Sequence, residues 1–441
     1  MSDFSNDPDY YAEVGGDLFT RGRLEEAIRA FEQVIRLNPT SVQSHCDLGY
    51  ILFDAGRTQE AIFHYQEAIR LDPSSLAAFQ ELGWIAMQEE RYQDAYEDFD
   101  QALRIQPDSI VALNNLGVVC QRMGIFEDAI DLLYQSRELA PDDLQIPVSL
   151  ATAYQKAGHV NAAISTYRIA IKAHPTEPNL IWNLGLLFFE QNLFQEALEA
   201  WEALLSHRDK EASVLLRIGD ALMRLGRAEE AIVRYEQATT ENPTYAFAFN
   251  DKGNCLFRIG RYDEAVVSYT EALRLEPNHH DAYLWLVNMG IALDHLERYD
   301  EAREAYVAAL SLRPDDADAY INLGVNYACT EQHEEAISAY LQALLLDPIN
   351  PIIYSNMANQ LCALGLDDEA IGAYKDAIRA GSTSCRTYYL LGNMMARRRR
   401  ISAACLWWKR GIRQPADETT PLTRAALRHA RKNTVSRQTV F

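Results

Sequence analysis

The residues best able to bind a metal ion form one short polar run, His279, His280 and Asp281. Imidazole nitrogens and carboxylate oxygens are zinc ligands, so a metal site is conceivable. Adjacent ligands alone rarely complete a coordination shell, however, and we favour an ordinary loop. His333 opens the sequence HEEA rather than the HExxH of zinc proteases, and we expect it to be solvated on a helix surface.

Signatures of other enzyme classes are missing from the sequence. It contains no GxxxxGK[ST] phosphate loop, no GxGxxG, no GxSxG nucleophile elbow and no calcium loop. The seven cysteines are scattered without a CxxC pair, which argues against a zinc site and a disulfide framework and favours a reducing cytoplasm. We therefore predict no catalysis, no metal and no cofactor. We also expect no secretory signal in the acidic first twenty residues, and no membrane span.

The elements that position the side chains follow a period of 34 residues. GRLEEAIRAFEQVIRLNP begins at residue 22, GRTQEAIFHYQEAIRLDP at 56 and GRYDEAVVSYTEALRLEP at 260, so the intervals are multiples of that period. Counted from Pro8 as position 1, position 8 is glycine or alanine and position 20 is alanine in twelve successive repeats. Three extra residues fall between Pro277 and Gly290. A period of this length predicts stacked helix pairs.

The pattern resembles the tetratricopeptide repeat, a helix-turn-helix with small residues at positions 8, 20 and 27 and proline at 32. The resemblance implies an all-α fold, a right-handed superhelical solenoid of tandem repeats with a C-terminal capping helix. We expect an acidic lead-in over residues 1–7, the repeat array over 8–418, and a basic capping helix and tail over 419–441. Small residues at positions 8 and 20 would let the paired helices approach, with large side chains at position 24 filling the space beside them.

The resemblance also implies that the first helix of each repeat lines a concave groove, with positions 2, 5, 6, 9 and 12 facing it. Asparagine, which can donate to and accept from a peptide backbone, recurs at position 6 and resembles the asparagine ladder of the O-linked N-acetylglucosamine transferases. The alternative, to which we give equal weight, is that these asparagines are merely solvated and bind no peptide. Aromatic groove candidates accompany them, although helix packing could bury some. The candidates are Asn115, Asn183, Asn288, Asn322, Asn356, Tyr50, Trp84, Trp182, Phe189, Phe247 and Phe257.

Positive charge is concentrated at the C-terminal end. From Arg397 onward twelve Lys or Arg face two acidic residues, a net charge of +10 that leaves −32 for the rest of a chain whose total is −22. Arg397, Arg398, Arg399 and Arg400 occupy the turn of the twelfth repeat, where a helix C-terminus favours positive charge. Beyond it we predict a helix beginning at Thr420, with Leu422, Ala425, Ala426 and Ala430 on its apolar side and Arg424, Arg428, Arg431 and Lys432 around the rest.

These features predict a non-catalytic scaffold or adaptor that binds a protein or an extended peptide in its groove. The basic clamp by which some proteins of this family hold carboxylates is incomplete, because Asn250, Asp318 and Asn322 stand where basic residues are needed. The alternative is a protein that associates with nucleic acid or an anionic surface through its basic C-terminal region. We prefer a capping role for that region, because an acidic body would repel phosphates. Self-association through the array ends is a further possibility.

Overall fold

A computed structural model describes residues 7–207 and 211–438, and every regular element in those ranges is an α-helix. The chain divides into two compact units, Met1–His207 and Arg208–Phe441. Each unit is a stack of antiparallel helix pairs, so the fold is the all-α helical-repeat solenoid class. In the described part of each unit, the substantial contacts between helices join near neighbours along the chain.

The helix bounds follow the 34-residue period closely. The first unit contains α1 Pro8–Thr20, α2 Leu24–Leu37, α3 Val42–Asp54, α4 Thr58–Leu71, α5 Leu76–Gln88, α6 Tyr92–Ile105, α7 Ile110–Met123, α8 Phe126–Leu139, α9 Gln145–Lys156, α10 Val160–Ala173, α11 Pro178–Glu190 and α12 Phe194–His207. The second contains α13 Ala212–Arg224, α14 Ala228–Glu241, α15 Ala246–Arg258, α16 Tyr262–Leu275, α17 Ala282–His295, α18 Tyr299–Leu312, α19 Ala317–Cys329, α20 His333–Leu346, α21 Pro351–Ala363, α22 Asp367–Arg379, α23 Cys385–Arg397, α24 Ile401–Gly411 and α25 Thr420–Gln438.

The two helices of a repeat meet at the small residues. All twelve alanines at position 20 are fully buried, Ala231 and Ala302 among them. The glycine at position 8 lies directly over the side chain at position 24. A Cβ atom added to Gly219, for example, would lie 2.5 Å from Cε1 of Tyr235, which is closer than packed carbon atoms approach. The alternation of small and large residues therefore sets the separation of the paired helices.

The turn inside every repeat is left-handed at position 15. Seven of the twelve positions are glycine, which adopts a positive φ without strain, and Gly124 is one of them at 79°. Asn192, Glu90, Glu297, Glu331 and Arg399 take the same conformation with φ between 58° and 60°. The chain therefore makes this turn regardless of which residue occupies it.

The three-residue insertion is divided between a loop and a helix. The loop between α16 and α17 spans residues 276–281, whereas the loop before α15 spans only 242–245. The helix α17 has 14 residues, whereas α15 and α19 have 13. The insertion thus leaves the helix-pair packing of the ninth repeat unchanged, with Gly290 still over the ring of Tyr306.

The last helix, α25, packs against α23 and α24 of the twelfth repeat. Its start at Thr420 agrees with the prediction, and its predicted apolar side is correct only in part. Ala430 is buried and Ala426 packs against the core of the last repeat, but Leu422 is 53% exposed and Ala425 is also exposed. Leu427, which was not predicted to face inward, is buried in the same core. The buried side is rotated because Thr423, fully buried, contacts the thiol of Cys385 at 3.4 Å and so directs Leu427 inward.

Candidate functional site

Successive first helices lie side by side within each unit and share direct hydrogen bonds. The Gln121 amide of α7 donates to the Ser149 carbonyl of α9 over 2.7 Å. The Asn288 amide of α17 donates to Asn254 Oδ1 of α15 over 3.2 Å. We call the surface formed by positions 2, 5, 6, 9 and 12 of these helices the first-helix face, and it holds all the groove candidates predicted from the sequence.

The five candidate asparagines are half-buried on this face. Asn288 is engaged within the protein, through its bond to Asn254. Asn183 lines a cavity of about 180 Å³ together with Trp182 and Val148. The remaining three, Asn115, Asn322 and Asn356, have the same partial exposure on α7, α19 and α21.

Asn356 lines a cavity on the first-helix face of the second unit. This cavity has a volume of about 540 Å³ and lies between α21 and α23. Asn359, Thr387 and Arg386 contribute polar groups to it. The backbone N–H of Arg386 donates to Asp417 over 3.2 Å, so the loop before α25 also fixes one wall.

The aromatic candidates fall into two groups. Tyr50 and Trp84 are 51% and 38% exposed. Tyr50 packs with one neighbouring ring, that of Phe19, at 5.7 Å. The other four candidates are half-buried against neighbouring rings. Trp182 and Phe189 lie 6.1 and 5.9 Å from the Trp201 ring, Phe247 contacts His279 of the insertion loop and Trp285, and Phe257 contacts Tyr262 and His295. Tyr50 and Trp84 therefore offer the largest aromatic surface to a partner.

Two carboxylates form part of a polar network on the first-helix face of the second unit. Asp220 Oδ1 accepts a hydrogen bond of 2.9 Å from the Tyr235 hydroxyl, and Asp220 Oδ2 lies 3.1 Å from the Arg217 guanidinium. Asp251 Oδ1 accepts from the Asn250 amide over 3.0 Å. Burial, and then the negative charge of Asp220, raises the pKa of Asp251 to about 7.

The network continues along α15 to the next repeat. Asn254 bonds to Asp251, and its Oδ1 accepts from the Tyr269 hydroxyl over 2.8 Å as well as from Asn288. The network therefore connects three successive first helices through side chains at positions 6 and 9. The sequence analysis missed Asp220 and Asp251, although an acidic residue at position 9 followed by one at position 6 of the next repeat is a readable signal.

The polar run of the insertion loop is the one group of three potential metal ligands among the described residues. Its first member, His279, stacks on Trp285 with the ring centroids 5.4 Å apart. His279 Nδ1 accepts the backbone N–H of Asp281 over 3.1 Å, so that nitrogen is already occupied. Arg313 lines the same cavity and would repel a cation. The residues therefore fit a metal ion poorly and fit a role in loop packing well.

The basic candidates occupy the turn and helix predicted for them. Arg397 ends α23, Arg399 adopts the left-handed turn and Arg400 precedes α24. Arg398 forms an ion pair with Asp368 of the preceding repeat. Arg424 and Arg428 are exposed on α25. The side chains of Arg431 and Lys432 lie outside the described residues.

Two further observations concern chemistry and membranes. The seven cysteines are unpaired, and burial raises the pKa of the Cys120 and Cys255 thiols to about 11. A thiol with so high a pKa is a poor nucleophile. In the described ranges, no helix combines the length and apolar character needed to cross a bilayer.

The stacked helix pairs and their side-by-side first helices define a helical-repeat protein of the kind that serves as a protein-interaction scaffold. Models described as tetratricopeptide repeat match residues 15–76, 148–212 and 183–246, residues 244–315 and 281–347, and residues 52–111. The chain belongs to the tetratricopeptide repeat family.

Comparison with solved structures gives further matches. A crystal structure of the MamA protein is 25% identical over 38% of this chain and 91% of that chain, with a TM-score of 0.37. A second MamA structure is 26% identical over 37% and 94%, with a TM-score of 0.35. A tetratricopeptide repeat protein from Parabacteroides merdae ATCC 43184 is 16% identical over 56% and 98%, with a TM-score of 0.44. No curated protein matches the chain.

Proposed function

We propose that this protein is a non-catalytic scaffold or adaptor that holds a peptide or protein partner on its first-helix faces. The observation that carries the proposal is the recurrence of half-buried amides at one repeat position on parallel, adjacent helices. Asn322 and Asn356 are examples, one repeat apart on α19 and α21. A side-chain amide offers both a donor and an acceptor, which is what the backbone of an extended peptide requires.

The size of the cavity beside Asn356 supports the same proposal. At about 540 Å³ its volume falls in the range of ligand-binding pockets in proteins. Its polar lining would bond to a ligand backbone, and Leu390 would contact the apolar part.

The C-terminal helix has a separate proposed role. Because Leu427 and Ala430 cover the core of the last repeat, we propose that residues 419–441 cap the array over 8–418.

Affinity capture from the native cell lysate tests the scaffold proposal, with proteins and nucleic acids identified together. An Asn322→Ala/Asn356→Ala variant is compared with wild type. The matched control is Asn161→Ala, which removes an exposed asparagine from the second helix of a repeat. We expect a defined protein to be captured by wild type and by the control, and to be lost from the double variant.

A third variant examines the basic helix. Arg424→Gln/Arg428→Gln removes two exposed charges from α25 without touching its buried side. Capture of nucleic acid that disappears in this variant alone would overturn the scaffold proposal, and would replace it with a nucleic-acid-associated function confined to the C-terminal region. Steep loss of that binding with salt would accompany such a result.

A further inference from the structure

Acidic and aromatic side chains alternate on two adjacent first helices of the first unit. Asp47 and Tyr50 lie three residues apart on α3, and Glu81 and Trp84 repeat the arrangement on α5. Residues three apart share one helix face, so the four side chains occupy positions 6 and 9 of one surface. We call these four residues the acid-aromatic strip.

The two carboxylates of the strip lack a positive counterpart. Burial raises the pKa of Asp47 and also the pKa of Glu81, and no basic side chain of the described residues lowers either. Asp47 accepts one hydrogen bond, 2.8 Å from the Gln43 amide. A half-buried carboxylate has lost part of its water shell. Without a nearby cation its negative charge is poorly stabilised, so a bound cation would stabilise it.

A buried tyrosine hydroxyl beneath the strip also lacks a hydrogen-bond partner. Tyr65 is 1% exposed, and its hydroxyl has no hydrogen-bond partner. The carbon that bears this hydroxyl lies directly under α3, since a Cβ atom added to Gly49 would be 2.9 Å from Tyr65 Cζ. Burial, and then the negative charge of Glu81, raises the pKa of Tyr65. At the equivalent place of other repeats the tyrosine hydroxyl is bonded, as Tyr269 is to Asn254.

We propose that the acid-aromatic strip binds arginine side chains of a basic partner peptide. This proposal rests on the proposed function, because it assigns a ligand chemistry to one part of the first-helix face. The carboxylates accept the N–H groups of a guanidinium, and the exposed faces of Tyr50 and Trp84 stack on its plane. The net charge of −32 over residues 1–396 draws a basic peptide toward the surface.

The chemistry excludes the other ligand classes. Phosphate groups would be repelled by Asp47 and Glu81, and the strip has no basic residue to hold them. A metal ion would find two carboxylates and no third ligand, since these residues do not belong to the one group of three potential ligands in the described ranges. The exposed rings would be unused in either case.

The full chain is tested by fluorescence anisotropy with a labelled nine-residue probe, (Gly-Arg-Ser)3. A second probe replaces each arginine with citrulline, which keeps the shape and removes the charge. A third replaces each arginine with lysine. We expect at least tenfold tighter binding of the arginine probe than of the citrulline probe, and weaker binding of the lysine probe because an ammonium group stacks less well on a ring.

Three double variants locate the binding. Asp47→Asn/Glu81→Gln and Tyr50→Ala/Trp84→Ala should each lose at least fivefold in affinity for the arginine probe. Glu32→Gln/Asp108→Asn removes two exposed charges elsewhere in the same unit and should stay within twofold of wild type. Thermal melts check folding, and the carboxylate variant should melt no lower than wild type because it removes buried charge.

The outcomes separate the two proposals. Equal binding of the arginine and citrulline probes, or an equal loss in the control variant, overturns the strip proposal and leaves the scaffold proposal standing on Asn322 and Asn356. If the captured native partner is lost from the Asn322→Ala/Asn356→Ala variant and is unchanged in the strip variants, the strip does not bind that partner. This outcome also overturns the strip proposal and leaves the scaffold proposal standing. Loss in the strip variants alone supports the arginine site and moves the partner-binding surface to the first unit.

Discussion

The hydroxyl of Tyr235 donates a hydrogen bond of 2.9 Å to Asp220, and so joins the core of the seventh repeat to its first-helix face. The equivalent bond one repeat later runs from Tyr269 to Asn254, a neutral acceptor. The seventh repeat therefore has a charged acceptor where the eighth has an uncharged one. The charge of Asp220 acts on Asp251 of the next first helix. The protonation of Asp251, and with it the free energy of unfolding, should therefore depend on pH.

We predict that replacing Asp251 with asparagine stabilises the protein above neutral pH. The folded-state pKa of Asp251 is about 7, whereas an unfolded aspartate titrates near 4. Between these values the folded protein binds more protons, so the free energy of unfolding of the wild type falls as pH rises from about 4 to about 7. The charged and polar groups around Asp251 are Asp220, Arg217, Asn250 and Asn254.

Urea unfolding at pH 5 and pH 8 measures this effect. Asp251→Asn should raise the free energy of unfolding by about 2 kcal/mol at pH 8 and by much less at pH 5. The control is Asp131→Asn, an exposed aspartate on α8 that should change stability equally little at both values. The same gain for Asp251→Asn at both pH values would contradict the assignment of a raised pKa.

We expect opposite effects from adding one methyl group at two helical glycines. Gly219→Ala should cost about 1–3 kcal/mol, because the new Cβ would lie 2.5 Å from the Tyr235 ring. Gly372→Ala, in the middle of α22, meets no atom within 4 Å and should stabilise by about 0.5–1 kcal/mol. Thermal and urea unfolding would measure both, and a stabilising Gly219→Ala would refute the packing of position 8 on position 24.

A pair of leucine truncations on α25 tests the capping helix. Leu427→Ala should cost about 2 kcal/mol or more, because Leu427 is buried in the core of the last repeat. Leu422→Ala makes the same chemical change at a side chain that is 53% exposed, and should stay within about 0.5 kcal/mol of wild type. Urea unfolding compares the two. Equal costs would mean that the helix does not cap the array through Leu427.

The helix pairs could be predicted because each repeat position occurs in twelve successive repeats of the sequence. Alanine at position 20 and glycine at position 8 recur for one physical reason, the close approach of two helices, and chance variation at single repeats does not hide it. The left-handed turn is predictable where glycine or asparagine stands, because these residues tolerate that conformation. Glu90, Glu297, Glu331 and Arg399 adopt it without any local signal, because the flanking helices impose the turn.

The candidate site was less predictable because exposure depends on neighbours at other positions. Phe247 and Tyr50 both occupy the first-helix face, yet Phe247 is covered by His279 from the insertion loop while Tyr50 remains half exposed. A pattern that assigns roles by position treats them alike. The raised pKa of Asp251 depends on burial and on the charge of Asp220 in the preceding repeat, and a repeat-by-repeat comparison does not examine such a contribution.

Contacts restricted to near neighbours along the chain have a mechanical consequence. Among the described residues of a unit, the substantial helix contacts join near neighbours only, so tension applied at the ends would be borne by one helix pair at a time. Each yielding pair would release 34 residues, roughly 110–120 Å of extended chain. We therefore expect helix pairs to unfold and refold one at a time under tension, each independently of the others.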